Sequence, residues 1–385
     1  MASKQIDCFE INWKFWKFLG IWSENKPHRY YKYYSKIFIT FFVILYDFLY
    51  TINFYFVPRQ LDLIIGEMLF YLTELSVLSK VFTFIIMRDK LKIIFEILES
   101  DAFQTDTEEE LKILHRAKVF IKIYWKIVAL VSITANLTHI SSPLLKNLIF
   151  KVELALPVCS YSFLSESFLK TFEYPLYFYQ IVGMHFHMLY NLNIDTYFLG
   201  LMILIIAQLD ILNVKFRNLK SGKDHTQLKE SIRCLNKNLD HYNEIERFCS
   251  LVQNIFSFTL FVQFSMASCI ICVCLFSFTL SVPVEYYIFL ATYMFIMIIQ
   301  IMVPCWFGSR IMDKSILLSS AIYNCDWTSN SKDFKINMRI FVERVNKPLS
   351  ITGGKMFSLS LATFTSIMNS AYSFFTLLRY IQTRE

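Results

Sequence analysis

Five ionisable side chains fall inside long apolar runs: Asp47, Glu67, Glu74, Lys80 and Asp195. A charge there is costly, so each must meet protein, water or a headgroup. Glu67 stands near one end of its run, and Lys80 stands close enough to the other for its stem to snorkel out. Asp195 lies deeper, beside Asn191, Asn193 and Thr196, and a structural hydrogen-bonding role outweighs ligand contact there. His185 and His187 invite a metal. Positions i and i+2 diverge around a helix, however, and neither has a carboxylate or Cys at i+4, so no metal site and no cofactor are expected. Glycine-rich phosphate loops, a Ser/His/Asp signature and paired intramembrane acids are absent from the sequence, which argues against an enzyme.

The elements that must hold these groups are seven apolar windows, at about 35–57, 62–87, 121–143, 173–209, 250–281, 285–309 and 352–381. Each reaches the roughly 20 apolar residues that a bilayer-spanning helix requires. The 385 residues are 55% hydrophobic and 17% aromatic, above the roughly 45–50% apolar share of soluble domains. Basic residues alternate by connection, 31 on one side and 6 on the other, with Lys80 inside a window. The positive-inside rule then puts the N-terminus in the cytosol and the C-terminus outside. The net charge of +7 sits beside apolar segments, which suits anionic membrane lipid and not nucleic acid. The first 35 residues hold no apolar signal core, so the first span is expected to direct insertion. Cys159 is the one cysteine expected outside, and no disulfide framework is expected. The fold expected is an all-α membrane protein: a cytosolic segment 1–34, six helices over 35–309, a cytosolic anchor 310–351, and a seventh helix with a short outer tail over 352–385.

Two outer links, Val57 to Leu61 and Ser281 to Val284, are short enough to close tight hairpins. The link 144–172 is longer and suits either a lid over the outer mouth or a plain tether. On the cytosolic side, Leu212, Phe216, Leu219, Leu228, Ile232, Leu235 and Leu239 repeat at helical spacing, as do Ile316, Leu317, Ala321, Ile322 and Tyr323, then Phe334, Ile336, Met338, Ile340 and Phe341. These faces need burial, so the inner helix ends should pack together within or between subunits. In the last window, Thr363, Ser366, Ser370, Ser373, Leu377 and Ile381 form a stripe of small polar residues ending in two large aliphatics. Such a stripe suits either a wet pore gated by dewetting or close helix packing. The opposite face carries Leu361, Phe364, Ile367, Met368, Phe374, Phe375 and Leu378. The sequon Asn136-Leu137-Thr138 lies inside the third helix and is expected to be unused.

Pro304-Cys305-Trp306-Phe307-Gly308, Ala321-Ile322-Tyr323-Asn324 with Trp327, Lys347-Pro348-Leu349, and the run from Gly354 through Leu378 resemble the insect odorant receptors. The motifs cover about 304–379; the remainder agrees in topology and length. This resemblance implies an odorant-gated, non-selective cation channel of four subunits in the plasma membrane of olfactory sensory neurons. The gate positions fall on Leu377 and Ile381, with Ser366, Ser370 and Ser373 along the pore, and Cys305, Tyr323 and Trp327 belong to the subunit anchor. The link after the fourth helix is only about 40 residues, unlike the long insertion of the co-receptor, so the chain is similar to a tuning subunit that joins a co-receptor in a heterotetramer. The resemblance also implies an odorant pocket in the outer half of helices two, three, four and six. Residues at that depth are Phe70, Tyr71, Glu74, Asn136, His139, Tyr179, His185, Tyr287 and Tyr293. A volatile ester, alcohol, aldehyde or terpenoid would suit an apolar cavity with few polar groups.

A gustatory receptor channel shares this topology, but its seventh helix usually ends in a Thr-Tyr and Gln-Phe pattern, where Ala371-Tyr372 and Arg379-Tyr380 stand here. A G-protein-coupled receptor would carry Asn-Pro-x-x-Tyr in helix seven and the opposite charge bias. A transporter would show inverted repeats or paired helix breaks, and neither is present.

Overall fold

The computed structural model describes residues 5–22, 29–58, 61–219, 225–279 and 284–382. A 3-10 turn, Gln5–Phe9, leads into α1 (Glu10–Phe18). The first long helix is built from α2 (Arg29–Ile39), a π-turn at Thr40–Ile44, and α3 (Leu45–Phe56). Then follow α4 (Leu61–Ile86), α5 (Arg88–Glu99), α6 (Glu108–Phe150), the short α7 (Glu166–Thr171) and α8 (Glu173–Arg217). The chain continues through α9 (His225–Ser277), α10 (Val284–Tyr323), α11 (Lys332–Val345), the strands β1 (Thr352–Gly353) and β2 (Phe357–Ser358), and α12 (Leu361–Gln382). Among the described residues, six helices are long and apolar enough to cross a membrane. The seventh, α12, has 22 residues but is diluted by Ser, Thr and Asn. The expected all-α, seven-helix membrane fold is therefore the one observed.

The 53 residues of α9 span about 80 Å at 1.5 Å per residue, far more than the ~30 Å hydrocarbon layer. The excess length, with the end of α8, the end of α10 and all of α11, forms a compact anchor beyond the membrane zone. Phe341 packs on Phe216 (5.0 Å between ring centres) and on Tyr242 (5.1 Å). Arg344 lies over the Tyr242 ring and pairs with Glu246. Lys237 donates to Asp106 (2.9 Å), and this bond holds the Asp106 carboxyl below its ordinary range. The apolar repeats divide. Phe334, Met338 and Phe341 turn inward, while Ile316, Leu317, Tyr323, Ile336 and Ile340 stay exposed.

α8 is the central post. From Leu189 to Leu212 it is buried almost all round, as expected of a helix apolar on every face. α1 docks on it: Asn12 donates to the Asn193 carbonyl (2.9 Å) and to Thr196 Oγ1 (3.0 Å), while Trp16 and Phe9 pack edge-on against Tyr197. The aromatic residues Phe9 and Trp16 thus complete the core around α8.

Two helix starts differ from expectation. The first long helix begins near 29, not 35, since Tyr and Lys at its start extend the helix without being apolar. The last begins at Leu361, not 352. Residues 352–358 form a hairpin whose turn, with Gly354 (φ 58°) and Lys355 (φ 58°), closes through Met356 N–H to the Gly353 carbonyl (3.0 Å). Two successive left-handed residues are the signature of a type I′ turn. Link residues 59–60 and 280–283 lie outside the described residues.

Candidate functional site

A cavity of about 1540 Å³ opens at the bundle end that carries residues 151–172. It is walled by α4, α6, α7, α8, α10 and the 151–165 loop. Phe70, His139, Tyr286 and Phe289 make its aromatic floor, with ring centres 5.0 Å apart for Phe70 and His139 and 5.9 Å for Tyr286 and Phe289. Glu67, Glu153, Glu166, Glu173, Lys146 and Lys170 ring its mouth.

The loop is a built cover. Gln180, fully buried on α8, accepts from the backbone N–H groups of Val158 (3.0 Å) and Cys159 (3.4 Å) and donates to the Cys159 carbonyl (2.8 Å). Asn53 accepts from Ser162 N–H (2.7 Å), Glu67 from the Ser160 hydroxyl (3.3 Å), and His139 Nε2 lies 2.9 Å from the Pro157 carbonyl. Four of the long helices therefore hold one loop. Gln180→Ala leaves three buried backbone groups without partners, a cost on the order of 2 kcal/mol or more. Limited proteolysis is expected to show new cleavage between 154 and 165; an unchanged pattern would mean that the other ties suffice.

The nine residues anticipated at pocket depth are spread over several environments. Phe70 and His139 line the cleft, and Tyr293 sits one tier below, 5.9 Å from the Phe70 ring and bonded to Thr73. Asn136 and His185 bond to each other (3.2 Å) between α6 and α8. Tyr71 stacks on Phe54 (4.8 Å), Tyr179 donates to the Phe41 carbonyl (3.0 Å), and Tyr287 stacks on Phe278 (6.1 Å). Glu74 is turned away from the cleft and bonds His187. Tyr286 and Phe289 were not singled out in the sequence, although their i, i+3 spacing puts them on one face of α10.

Two expectations about charge are corrected. Lys80 does not snorkel: it is 0% exposed, 2.6 Å from Asp195 Oδ1, and donates to Asn191 Oδ1 at 2.6 Å. Gln300 donates to the other Asp195 oxygen (2.9 Å), so α4, α8 and α10 meet at this pair. The i+4 test for His187 also missed its partners, because Asp47 and Glu74 come from other helices.

On α12, Phe364, Ile367, Met368, Ala371 and Phe375 pack into the bundle. Ser366, Ser370, Ser373 and Leu377 are exposed, Leu377 by 53%, and so are Leu361, Phe374 and Leu378, which were expected on the apolar face. Ser370 and Ser373 donate back to the carbonyls of Ser366 (2.9 Å) and Asn369 (2.8 Å). The Ile381 side chain lies outside the described residues. In the anchor, Cys305 is sealed inside the chain at 0% exposure, whereas Tyr323 is exposed and receives the Trp327 indole N–H at its carbonyl (3.0 Å).

A family model described as 7tm Odorant receptor matches residues 60–372. The chain belongs to this odorant receptor family. It is 32% identical over 154 residues to odorant receptor 67c of Drosophila melanogaster, covering 39% of this chain and 37% of that one. With odorant receptor 94a of the same fly it shares 23% identity over 322 residues, 81% of this chain and 80% of that one. The matched region thus spans well under two thirds of the length of the first of these relatives. The receptor's fold is also that of the insect olfactory receptor OR5 from Machilis hrabei, solved with eugenol, at a TM-score of 0.84 and 17% identity over 98% of this chain and 100% of that one.

Proposed function

We propose that this odorant receptor is a tuning subunit of an odorant-gated, non-selective cation channel, working with a co-receptor in a heterotetramer at the plasma membrane of olfactory sensory neurons. The observation that carries the reading is the face of α12, where Ser366, Ser370, Ser373 and Leu377 are unburied while the other side seats in the bundle. The hydroxyls of Ser370 and Ser373, their donors satisfied by their own helix, keep lone pairs for water, which suits a pore wall better than lipid. The charge bias supports a cytosolic anchor and an outer cleft. The exposed Ile316, Leu317, Tyr323, Ile336 and Ile340 then meet neighbouring subunits. The domain scheme follows: a bundle that binds, an anchor that assembles, and a last helix that conducts.

The ligand is a small, mostly apolar volatile, seated on the Phe70, His139, Tyr286 and Phe289 floor. Aromatic walls favour a ring-bearing or unsaturated compound, as with the eugenol of the OR5 complex. α10 supplies two floor residues and packs along α12. Ligand that binds better when α10 and α12 have shifted outward withdraws Leu377 and wets the pore; equal affinity for both states would shift nothing. Voltage clamp of cells expressing the chain alone and with an insect co-receptor tests this. Fast cation current only with both chains is expected; robust current from the chain alone, or none with either, overturns it. Within responding channels, Phe70→Ala is expected to raise the half-maximal odorant concentration about tenfold, equivalent to about 1.4 kcal/mol. An unchanged dose response would move the ligand off this floor.

A further inference from the structure

Below the cleft floor, Asp47 of α3, Glu74 of α4 and His187 of α8 converge. One ligand atom from each lies within 4.8 Å of the others, and all three residues are buried. Glu74 lies one helical turn past Phe70 on α4, so the group sits directly beneath the aromatic tier.

The hydrogen bonds fix what the group lacks. His187 Nε2 lies 2.8 Å from the carbonyl oxygen of Phe42, a residue of the π-turn. A carbonyl only accepts, so Nε2 carries the proton, and a neutral ring turns its Nδ1 lone pair toward Glu74 Oε2, with which it is in contact. Carboxylate and lone pair are both acceptors, so a cation must serve them. A proton would suffice for that pair alone. Asp47 remains: it is 8% exposed, and neither of its carboxylate oxygens has a hydrogen-bond partner among the described residues. Burying a carboxylate without a partner is strongly unfavourable.

We propose that Asp47, Glu74 and His187 bind a divalent zinc-class cation that clasps the first, second and fourth long helices. One imidazole with two carboxylates is a borderline donor set, suited to zinc where magnesium and calcium prefer oxygen throughout. A charge of +2 neutralises both carboxylates with the imidazole left neutral. The Nε2–H donated to a backbone carbonyl is the arrangement that orients a metal-bound histidine. Ligands about 2.1 Å from a tetrahedral ion stand about 3.4 Å apart, which small rotations of the carboxylates can supply from the present spacing. The Tyr46 ring lies tilted against the His187 ring (4.8 Å between centres, 47°) and closes that side of the site. Gly183 leaves it room, since a Cβ there would overlap the Tyr46 ring.

The test uses the purified full-length receptor, stripped with chelator and then exposed to zinc chloride, with calcium chloride as the contrast. Metal analysis after gel filtration is expected to find about one zinc per chain, and zinc but not calcium to raise the thermal midpoint. Asp47→Asn and His187→Gln should each weaken zinc binding by about tenfold or more. Should both variants fail to fold, the wild-type stoichiometry and zinc-specific midpoint shift still decide. Wild-type chains that take up no zinc overturn the proposal, as do variants that bind it undiminished. So does a receptor that Asp47→Asn stabilises and zinc leaves unmoved, since a proton alone would then hold the cluster. The readout is metal content and stability, and so is independent of the channel reading.

Discussion

Replacing Leu377 with Ser is expected to raise the basal current of the assembled channel several-fold in the absence of odorant. Leu377 is the large aliphatic that ends the exposed serine stripe of α12 and is 53% exposed in the single chain. A constriction of such side chains blocks ions by excluding water, and a hydroxymethyl group of smaller volume and higher polarity wets it. Ser373, one turn away, already presents a hydroxyl, so the substitution extends an existing polar track and does not cut into the packed face formed by Phe364, Ala371 and Phe375. Basal current under voltage clamp, normalised to surface expression, is the readout. A wild-type basal current in properly assembled channels would remove Leu377 from the gate.

The second large effect concerns stability. Lys80→Met is expected to destabilise the receptor by about 3 kcal/mol, the low end for breaking a buried pair because Asp195 retains 25% side-chain exposure. The loss comes less from the missing attraction than from an Asp195 carboxylate left, among the described residues, with Gln300 as its side-chain donor. The double variant Lys80→Met with Asp195→Asn should recover at least half of it, because a neutral amide needs no counter-ion. Thermal midpoints of detergent-solubilised protein by fluorescence-detected gel filtration would show this. A neutral single variant, or a double variant as weak as the single, would mean that the pair is not what joins α4, α8 and α10.

What was legible in the sequence follows the reach of each physical signal. The apolar run at 173–209 marks α8 as a membrane-spanning helix but not as the central one, while the extension of helices past the bilayer is visible as amphipathic repeats at three- and four-residue spacing. Hydropathy counts residues but does not see turn chemistry, so it starts the last helix at 352, where Gly353 and Gly354 fold back as a hairpin. Depth along a helix is also readable from sequence, while rotation about its axis is not once every face is apolar. Depth alone therefore points to Tyr287 where the cleft holds Tyr286, a difference of one residue and about 100°. Partners from distant helices were beyond reach in the same way. Nothing near Lys80 in the chain points to Asp195, and nothing near His187 points to Asp47.

The π-turn at Thr40–Ile44 fixes where the first long helix tolerates a change of length. One extra residue is absorbed there, so the stretches before and after it keep the relative phase of a straight helix one residue shorter. Deleting a single residue from the turn would let regular pitch return with the flanking faces kept, whereas deleting one between Leu45 and Leu49 would swing each later side chain by about 100°. Tyr50, which donates to the Glu67 carbonyl, and Asn53, which grips the covering loop at Ser162, would both face the wrong neighbours. A deletion past the turn, shortening the helix by about 1.5 Å, would thus be read throughout the outer half of the bundle as a change of direction, and sequences related to this one should vary there in residue type far more freely than in residue number.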